Sequence, residues 1–480
     1  MILLAALAAA LVSPPARSLD LDECRISVSD AFPSIKARCG MLERPLDPSD
    51  PESPTIDIRV AVVPALNLEP EADPIVPIAG GPGQGSVEFY SAYAAAFEEV
   101  RRNRDILLVD QRGTGGSARL DCDVDDELVD GLFSIEETKQ AVTECLDTLP
   151  HDPRFFTTSV AVTDLEAART ALGYPALNLY GVSYGTRVAQ HFARRYPDAT
   201  RTITLDGVVP PQISIGPEIA TEAQKAVQNI IDRCAEEPAC NERFPELSAQ
   251  FERLTRTLDE SPARVQLAHP VTGKAEVVRF GRQEFASAVR LLAYQPSSIA
   301  MIPLLVAEAA DGNLQPIAAQ FKMTMDGLSE ALALGMHNAV MCTEDTPFYT
   351  PAMIDRDLLE TTYMGPLQID ALEAICSVWP AGPIDEDFKA PLATDIPTLL
   401  LSGTADPITP PRYADMAAHS LRKAWLLTGE QQGHGQIAVG CMPRIVARFI
   451  SNAGLDDVDT SCMQSSFVMP FFLDFSGPAP

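Results

Sequence analysis

Histidine is scarce in this chain: six in 480 residues. None stands near the cysteines at zinc-ligand spacing, and no C-x-x-C occurs, so the sequence offers no metal centre and implies no cofactor. Basic residues are also few, 36 Lys and Arg against 66 Asp and Glu, for a formal net charge of -30. Such a surface repels phosphate backbones and anionic lipid, which excludes nucleic acid and a membrane surface as partners. No apolar stretch reaches the roughly 20 residues that a membrane-spanning helix needs. No repeat of fixed period is present, and the 40 prolines and 28 glycines are scattered, so solenoid, collagen-like and low-complexity readings fall away. What remains is an ordinary folding composition, 46% hydrophobic and 21% charged, long enough for one large domain with an insertion or for two or three domains.

The N-terminus reads as an export signal. Ile2 to Val12 is an unbroken apolar run, followed by Ser13-Pro14-Pro15-Ala16-Arg17-Ser18, where Ala16 and Ser18 are small residues suited to cleavage. No Lys or Arg precedes the run, which departs from the usual pattern. Ten cysteines agree with an oxidising compartment, periplasmic or extracellular. They fall into neighbouring pairs: Cys24 and Cys39, Cys122 and Cys145, Cys234 and Cys240, Cys342 and Cys376, Cys441 and Cys462. Sequential pairing is the simplest expectation.

Short apolar runs ending in glycine-rich turns set the architecture. Ile56 to Val62 alternates apolar and polar residues, a strand with one buried face. Pro74–Ala79 leads into Gly80-Gly81-Pro82-Gly83, and Asp105–Val109 into Asp110-Gln111-Arg112-Gly113-Thr114-Gly115-Gly116. Ala176–Tyr180 leads into Gly181-Val182-Ser183-Tyr184-Gly185, Thr202–Leu205 into Asp206-Gly207, and Pro397–Leu401 into Ser402-Gly403-Thr404-Ala405-Asp406. Helical patterns at 162–172 and 186–196 lie between some of these runs. Strand and helix in alternation predict an α/β fold, a mostly parallel sheet with helices on both faces and its chemistry at the carboxyl ends of the strands. From Pro210-Pro211 onward the rhythm is helical, with patterns through 282–294, 298–310 and 329–341 and a short hairpin near 273–280. The expected organisation is therefore a signal segment at 1–18, a core in two parts at 19–209 and 388–480, and an inserted helical cap at 210–387.

Gly181-Val182-Ser183-Tyr184-Gly185 is a G-x-S-x-G sequence between a buried strand and a helix, the setting in which a sharp turn lifts a serine above the sheet as a nucleophile. A serine hydroxyl needs a base oriented by a carboxylate. His151, His191, His269, His337 and His419 fall before the serine, on its helix, in the cap or on a helical surface. His434, in Gly433-His434-Gly435, is the base by elimination. Asp406 ends a late strand ahead of it and is the expected acid, with Asp206 as the runner-up. The oxyanion donors expected are the N–H groups of Tyr184 and of Gly81, since Pro82 has none.

Taken in order, Gly80–Gly83, Asp110–Gly115, Gly181–Gly185 and Gly403-Thr404-Ala405-Asp406-Pro407 resemble the α/β-hydrolase serine aminopeptidases, the proline iminopeptidases and secreted tripeptidyl aminopeptidases. Ala79 stands where proline iminopeptidases usually carry histidine before the double glycine. Tyr184, the cysteines and the C-terminal placement of Asp406 and His434 lean to the tripeptidyl side. The resemblance implies an α/β-hydrolase fold with a cap, and release of N-terminal residues or short peptides through an acyl-enzyme. It also implies cap carboxylates for the substrate's free amino group. Glu344 and Asp345, after Cys342, are the candidates, with Trp379 as a possible pocket wall. A carboxylesterase with the same triad and a silent binding protein on this scaffold are the alternative readings.

Overall fold

The computed structural model describes residues 19–28, 33–122, 134–465 and 468–478. The expected signal segment lies outside the described residues. Runs of four to six apolar residues form the interior of one large sheet. β4 (Ile75–Ile78), β5 (Ile106–Val109) and β10 (Thr398–Gly403) are buried at every position. β6 (Leu177–Val182) and β7 (Thr200–Asp206) are nearly so. Burial on both faces is the mark of a parallel strand covered by helices on each side. β5, β4, β6, β7, β10 and β11 (Ala424–Gly429) are indeed parallel neighbours in that order. β1 (Asp22–Ile26), β2 (Ile35–Pro45) and β3 (Thr55–Val63) extend the β5 edge antiparallel. This topology is the α/β-hydrolase fold.

Side chains alternate across each strand, and the two faces bury different partners. Leu179, Leu205 and Leu400 pack with Val162, Leu165, Val188 and Phe192 of the helices Thr158–Leu172 and Tyr184–Arg195. Tyr180, Leu399 and Leu401 point the other way, onto Phe89, Phe97, Val446 and Phe449. Each such buried phenylalanine contributes about 1.5–3 kcal/mol. A one-residue slip of β6 would exchange Leu179 and Tyr180 and lose both sets of contacts.

Between β7 and β10 the chain leaves the sheet and builds a second core from Val227, Phe251, Phe285, Val289, Leu305 and Phe321. The boundaries of the helical patterns differ from expectation in three places. The hairpin pairs β8 (Ala263–Ala268) with β9 (Ala275–Phe280), turning at Gly273, so 273–280 is mainly its second arm. The run 298–310 is two helices, Pro296–Ile299 and Ile302–Ala310, because Pro303 suits the first turn of a helix but not its interior. The run 329–341 spans the end of Gln315–Ala331 and the start of Leu334–Val340. The chain opens between them because Leu332 bridges to Gln84 and the Ala333 N–H donates to the Gly83 carbonyl at 3.0 Å. The C-terminal segment belongs partly to this second core: Phe471 is buried in it, with the Arg233 guanidinium 3.8 Å from its ring centroid.

All ten cysteines are bonded in the sequential pairing: Cys24–Cys39, Cys122–Cys145, Cys234–Cys240, Cys342–Cys376 and Cys441–Cys462. Closing loops of this size contributes roughly 2–4 kcal/mol each. Among the described residues no helix is long and apolar enough to cross a membrane, and no cluster of side chains suits a metal ion.

Candidate active site

Ser183 sits where β6 meets the helix Tyr184–Arg195, at φ 55° and ψ −128°. A non-glycine residue held there costs on the order of 1–3 kcal/mol, and such strain clusters at functional turns. The flanking glycines are forced by close approach. A Cβ on Gly181 would stand 2.3 Å from the Gly185 carbonyl oxygen, and one on Gly185 would stand 2.3 Å from that of Ile78. The Gly80-Gly81 loop lies against the serine, since a Cβ on Gly80 would be 2.9 Å from Ser183 Cβ and 3.5 Å from its Oγ. Tyr184 is the first residue of the helix, where a backbone N–H has no partner within the helix. Gly81, at φ 106°, turns the loop beside it.

His434 and Asp406 come together at the ends of neighbouring strands. His434 Nδ1 is 2.8 Å from Asp406 Oδ2. Asp406 is fixed by its own turn: Oδ1 accepts the N–H groups of Ile408 and Thr409, each at 2.9 Å, and Oδ2 accepts the Thr409 hydroxyl at 2.6 Å. Thr409 Oγ1 is also 3.0 Å from His434 Nδ1. From the cap, the Tyr294 ring meets the His434 ring edge-on at 5.1 Å, and the His434 N–H donates to the Tyr294 carbonyl at 2.7 Å. Burial, the largest influence, disfavours the imidazolium. The Asp406 carboxylate, through its charge and hydrogen bond, and the charge of Asp206 outweigh it, so the pKa of His434 lies above the ordinary value.

Asp206 takes a different place from the one weighed for it. Its carboxylate does not touch the His434 ring. It accepts the Gln436 N–H at 2.8 Å, the Ile437 N–H at 2.9 Å and the Tyr180 hydroxyl at 2.6 Å. Its main-chain carbonyl accepts the Ser183 N–H at 2.9 Å. One residue thus holds both the serine turn and the histidine loop. Burial pushes its carboxyl up to about 6, against the pull of those hydrogen bonds.

Glu344 and Asp345 are together but are not a free acidic pair. Both are fully buried. Asp345 makes a bidentate pair with Arg187, at 2.7 and 2.8 Å, and also accepts the Ile215 N–H at 2.8 Å and Lys389 Nζ at 3.4 Å. Glu344 accepts the Thr158 N–H at 2.6 Å and its hydroxyl at 2.8 Å, and the Tyr184 hydroxyl closes onto Thr158 Oγ1 at 2.6 Å. Two carboxylates therefore face two cations of the same chain, and the expected amine site is already balanced. Burial raises the Glu344 carboxyl to about 7. Trp379 is buried in the core of the sheet. The cluster supports the serine turn from below, because Tyr184 and Arg187 stand three apart on one face of their helix.

Residues 361–462, which contain Asp406 and His434, match the model of a family described as TAP-like protein. Serine protease Hip1 of Mycobacterium tuberculosis is 26% identical, over 86% of this chain and 85% of the relative. Tripeptidyl aminopeptidase of Streptomyces coelicolor is 24% identical, over 88% and 83%. A Mycobacterium tuberculosis protein named carboxylesterase B is 25% identical, over 92% and 89%. The chain resembles the α/β-hydrolase serine aminopeptidases. Fold and relatives place it among the hydrolases.

Several groups around this hydrolase's site were not read from the sequence. Thr409 had a signal, because Asp406-Pro407-Ile408-Thr409 is a turn whose aspartate caps the N–H groups two and three residues on. Arg187, Thr158 and Tyr294 had none, since each acts through a neighbour distant in the chain. His337, in the cap, lies 3.3 Å by Nδ1 from the Pro82 carbonyl, against the glycine loop. Burial lowers its pKa.

Proposed function

We propose that the chain is an exported serine hydrolase that releases N-terminal residues or short peptides, with Ser183, His434 and Asp406 as its triad. The observation that carries this reading is the 2.8 Å contact of His434 with Asp406, on a loop tied through Asp206 to the strained Ser183 turn. Asp406 holds the imidazole by Nδ1 and leaves Nε2 to take the Ser183 proton. The Ser183 oxygen attacks the acyl carbon, and the N–H groups of Gly81 and Tyr184 receive the oxyanion. His434 then gives its proton to the leaving amine, and water repeats the sequence on the acyl-enzyme. The inserted segment 210–387 acts as a cap over this site. Five disulfides support export through an oxidising compartment.

The aminopeptidase assignment draws on the four motifs and on the Streptomyces relative, not on Glu344 and Asp345, whose charges are already matched. The relative named carboxylesterase B and that charge balance favour a second reading, ester hydrolysis by the same triad. A substrate panel separates the two: Ala-, Pro- and Ala-Ala-Pro-anilides, the N-acetylated form of each, and short p-nitrophenyl esters. The aminopeptidase reading expects free peptides to exceed blocked ones by at least tenfold in kcat/KM, the effect of about 1.4 kcal/mol. Equal rates on free and blocked peptides, with faster esters, select the esterase.

A further inference from the structure

In a chain with formal net charge -30, a cation beside the site without a carboxylate is out of keeping with its surroundings. The buried arginines Arg112 and Arg187 each hold a bidentate aspartate, Asp164 and Asp345. Arg290, on the cap helix Arg282–Leu292, does not. Its one hydrogen bond among the described residues runs from Nη2 to the Tyr294 hydroxyl at 3.2 Å. Its Nε, like that of Arg187, is buried without a hydrogen-bond partner, but unlike Arg187 it makes no ion pair with a carboxylate among the described residues. Tyr294 is the residue whose ring packs on His434, so the guanidinium stands one side chain away from the proposed base. Its positive charge is felt by both His434 and His337.

A planar, half-buried guanidinium with unused Nη donors suits a carboxylate brought by a ligand. The direction follows from the chemistry. His434 delivers its proton to the leaving amine, so the leaving group lies on the histidine side of the scissile bond. Resting on the triad reading above, we propose that Arg290 is a substrate-binding residue that receives a carboxylate of the leaving group. Two sources share this chemistry: the free C-terminus of a short peptide, and an acidic side chain just after the scissile bond.

The test compares Ala-Ala-Pro-Ala, its C-terminal amide, and Ala-Ala-Pro-Asp amide on the whole enzyme, read as kcat/KM for release of the amine product. The wild type should favour the free carboxylate over the amide by about tenfold or more, and this ratio should fall as salt is raised. Arg290→Gln should bring the ratio to about one, and Arg290→Lys should restore part of it. Recovery with the aspartyl amide assigns the side-chain source, and its absence assigns the C-terminus. A wild-type ratio near one, or a ratio that survives Arg290→Gln, overturns the proposal. If the glutamine variant does not fold, Arg290→Lys decides in its place: a ratio equal to that of the wild type overturns the proposal, and a reduced one supports it. Labelling of Ser183 by a serine-directed phosphonate keeps the two readings apart. Loss of labelling sinks the triad, whereas labelling with a ratio of one sinks only the role of Arg290.

Discussion

Two carboxylates end neighbouring strands beside one histidine, and they do different work. Asp406, after β10, meets the imidazole itself. Asp206, the last residue of β7, meets the backbone two and three residues past the histidine and, through its own carbonyl, the nucleophile turn. Both are buried and both are near enough to raise the imidazole's pKa. What separates them is the group each holds, a ring in one case and a loop in the other. Sequence position at a strand end does not distinguish these roles. The hydrogen-bond partners do.

Replacing the ring's partner should cost most. Asp406→Asn keeps the shape but leaves the imidazole in the wrong tautomer, and kcat should fall by about 10⁴-fold. Asp206→Asn leaves that bond intact and loosens the loop, and a misplacement of this kind costs about 10²-fold or less. Steady-state kinetics on one anilide substrate measures both. If the order is reversed, Asp206 is the acid and the comparison collapses.

A smaller effect is read from pH. As the proposed base, His434 would work when neutral, so its raised pKa should place the acid limb of the kcat/KM profile above the ordinary histidine value. The negative charge of Asp206 helps to hold that proton. The groups facing His434 are Asp406, Asp206, Arg290 and the Tyr294 ring. Asp206→Asn should therefore move the acid limb to lower pH, while a purely mechanical loosening would leave it in place. Stability shifts too. The folded-state pKa of Asp206 lies above its ordinary value, so its contribution is complete below about 4 and is lost as pH rises through about 6. In Asp206→Asn, thermal melts between these limits should lose that decline.

The smallest effect comes from Tyr180→Phe. It removes the hydroxyl that donates to Asp206 and leaves every bond to the histidine loop. A loss of about 1 kcal/mol in unfolding free energy is expected from denaturant titration, with kcat within severalfold of wild type. A loss in kcat as large as that of Asp206→Asn would mean that Tyr180, not the carboxylate, sets the loop.

The parts of the site that local sequence controls were legible. The turn at Ser183 needs glycines on both sides of a strand-to-helix junction, and that need is written in five consecutive residues. β4, β5 and β10 were legible because strands buried on both faces must be continuously apolar. β2 was not, since Ile35–Pro45 mixes charged and apolar residues near a half-exposed edge of the sheet, where pairing with β3 decides the conformation. The break at Leu332–Ala333 was hidden for the same reason: its cause is a loop some 250 positions away. For Glu344 and Asp345 the resemblance implied a role but not their surroundings, because Arg187 arrives from the helix after the nucleophile, distant in the chain.

That break has a mechanical consequence. Ala333 donates to Gly83, Leu332 bridges to Gln84, and His337 rests on Pro82, so the helical insertion and the glycine loop beside Ser183 are joined at three consecutive residues. The insertion is therefore tied to the loop beside Ser183 rather than free of it. On the proposed reading, lifting it at this seam would drag the loop proposed to stabilise the oxyanion, so admission of a bulky chain and disarming of the catalyst would be one event. The expected result is selection by size without a separate gate. A folded protein that pried the insertion open would then meet a site already come apart.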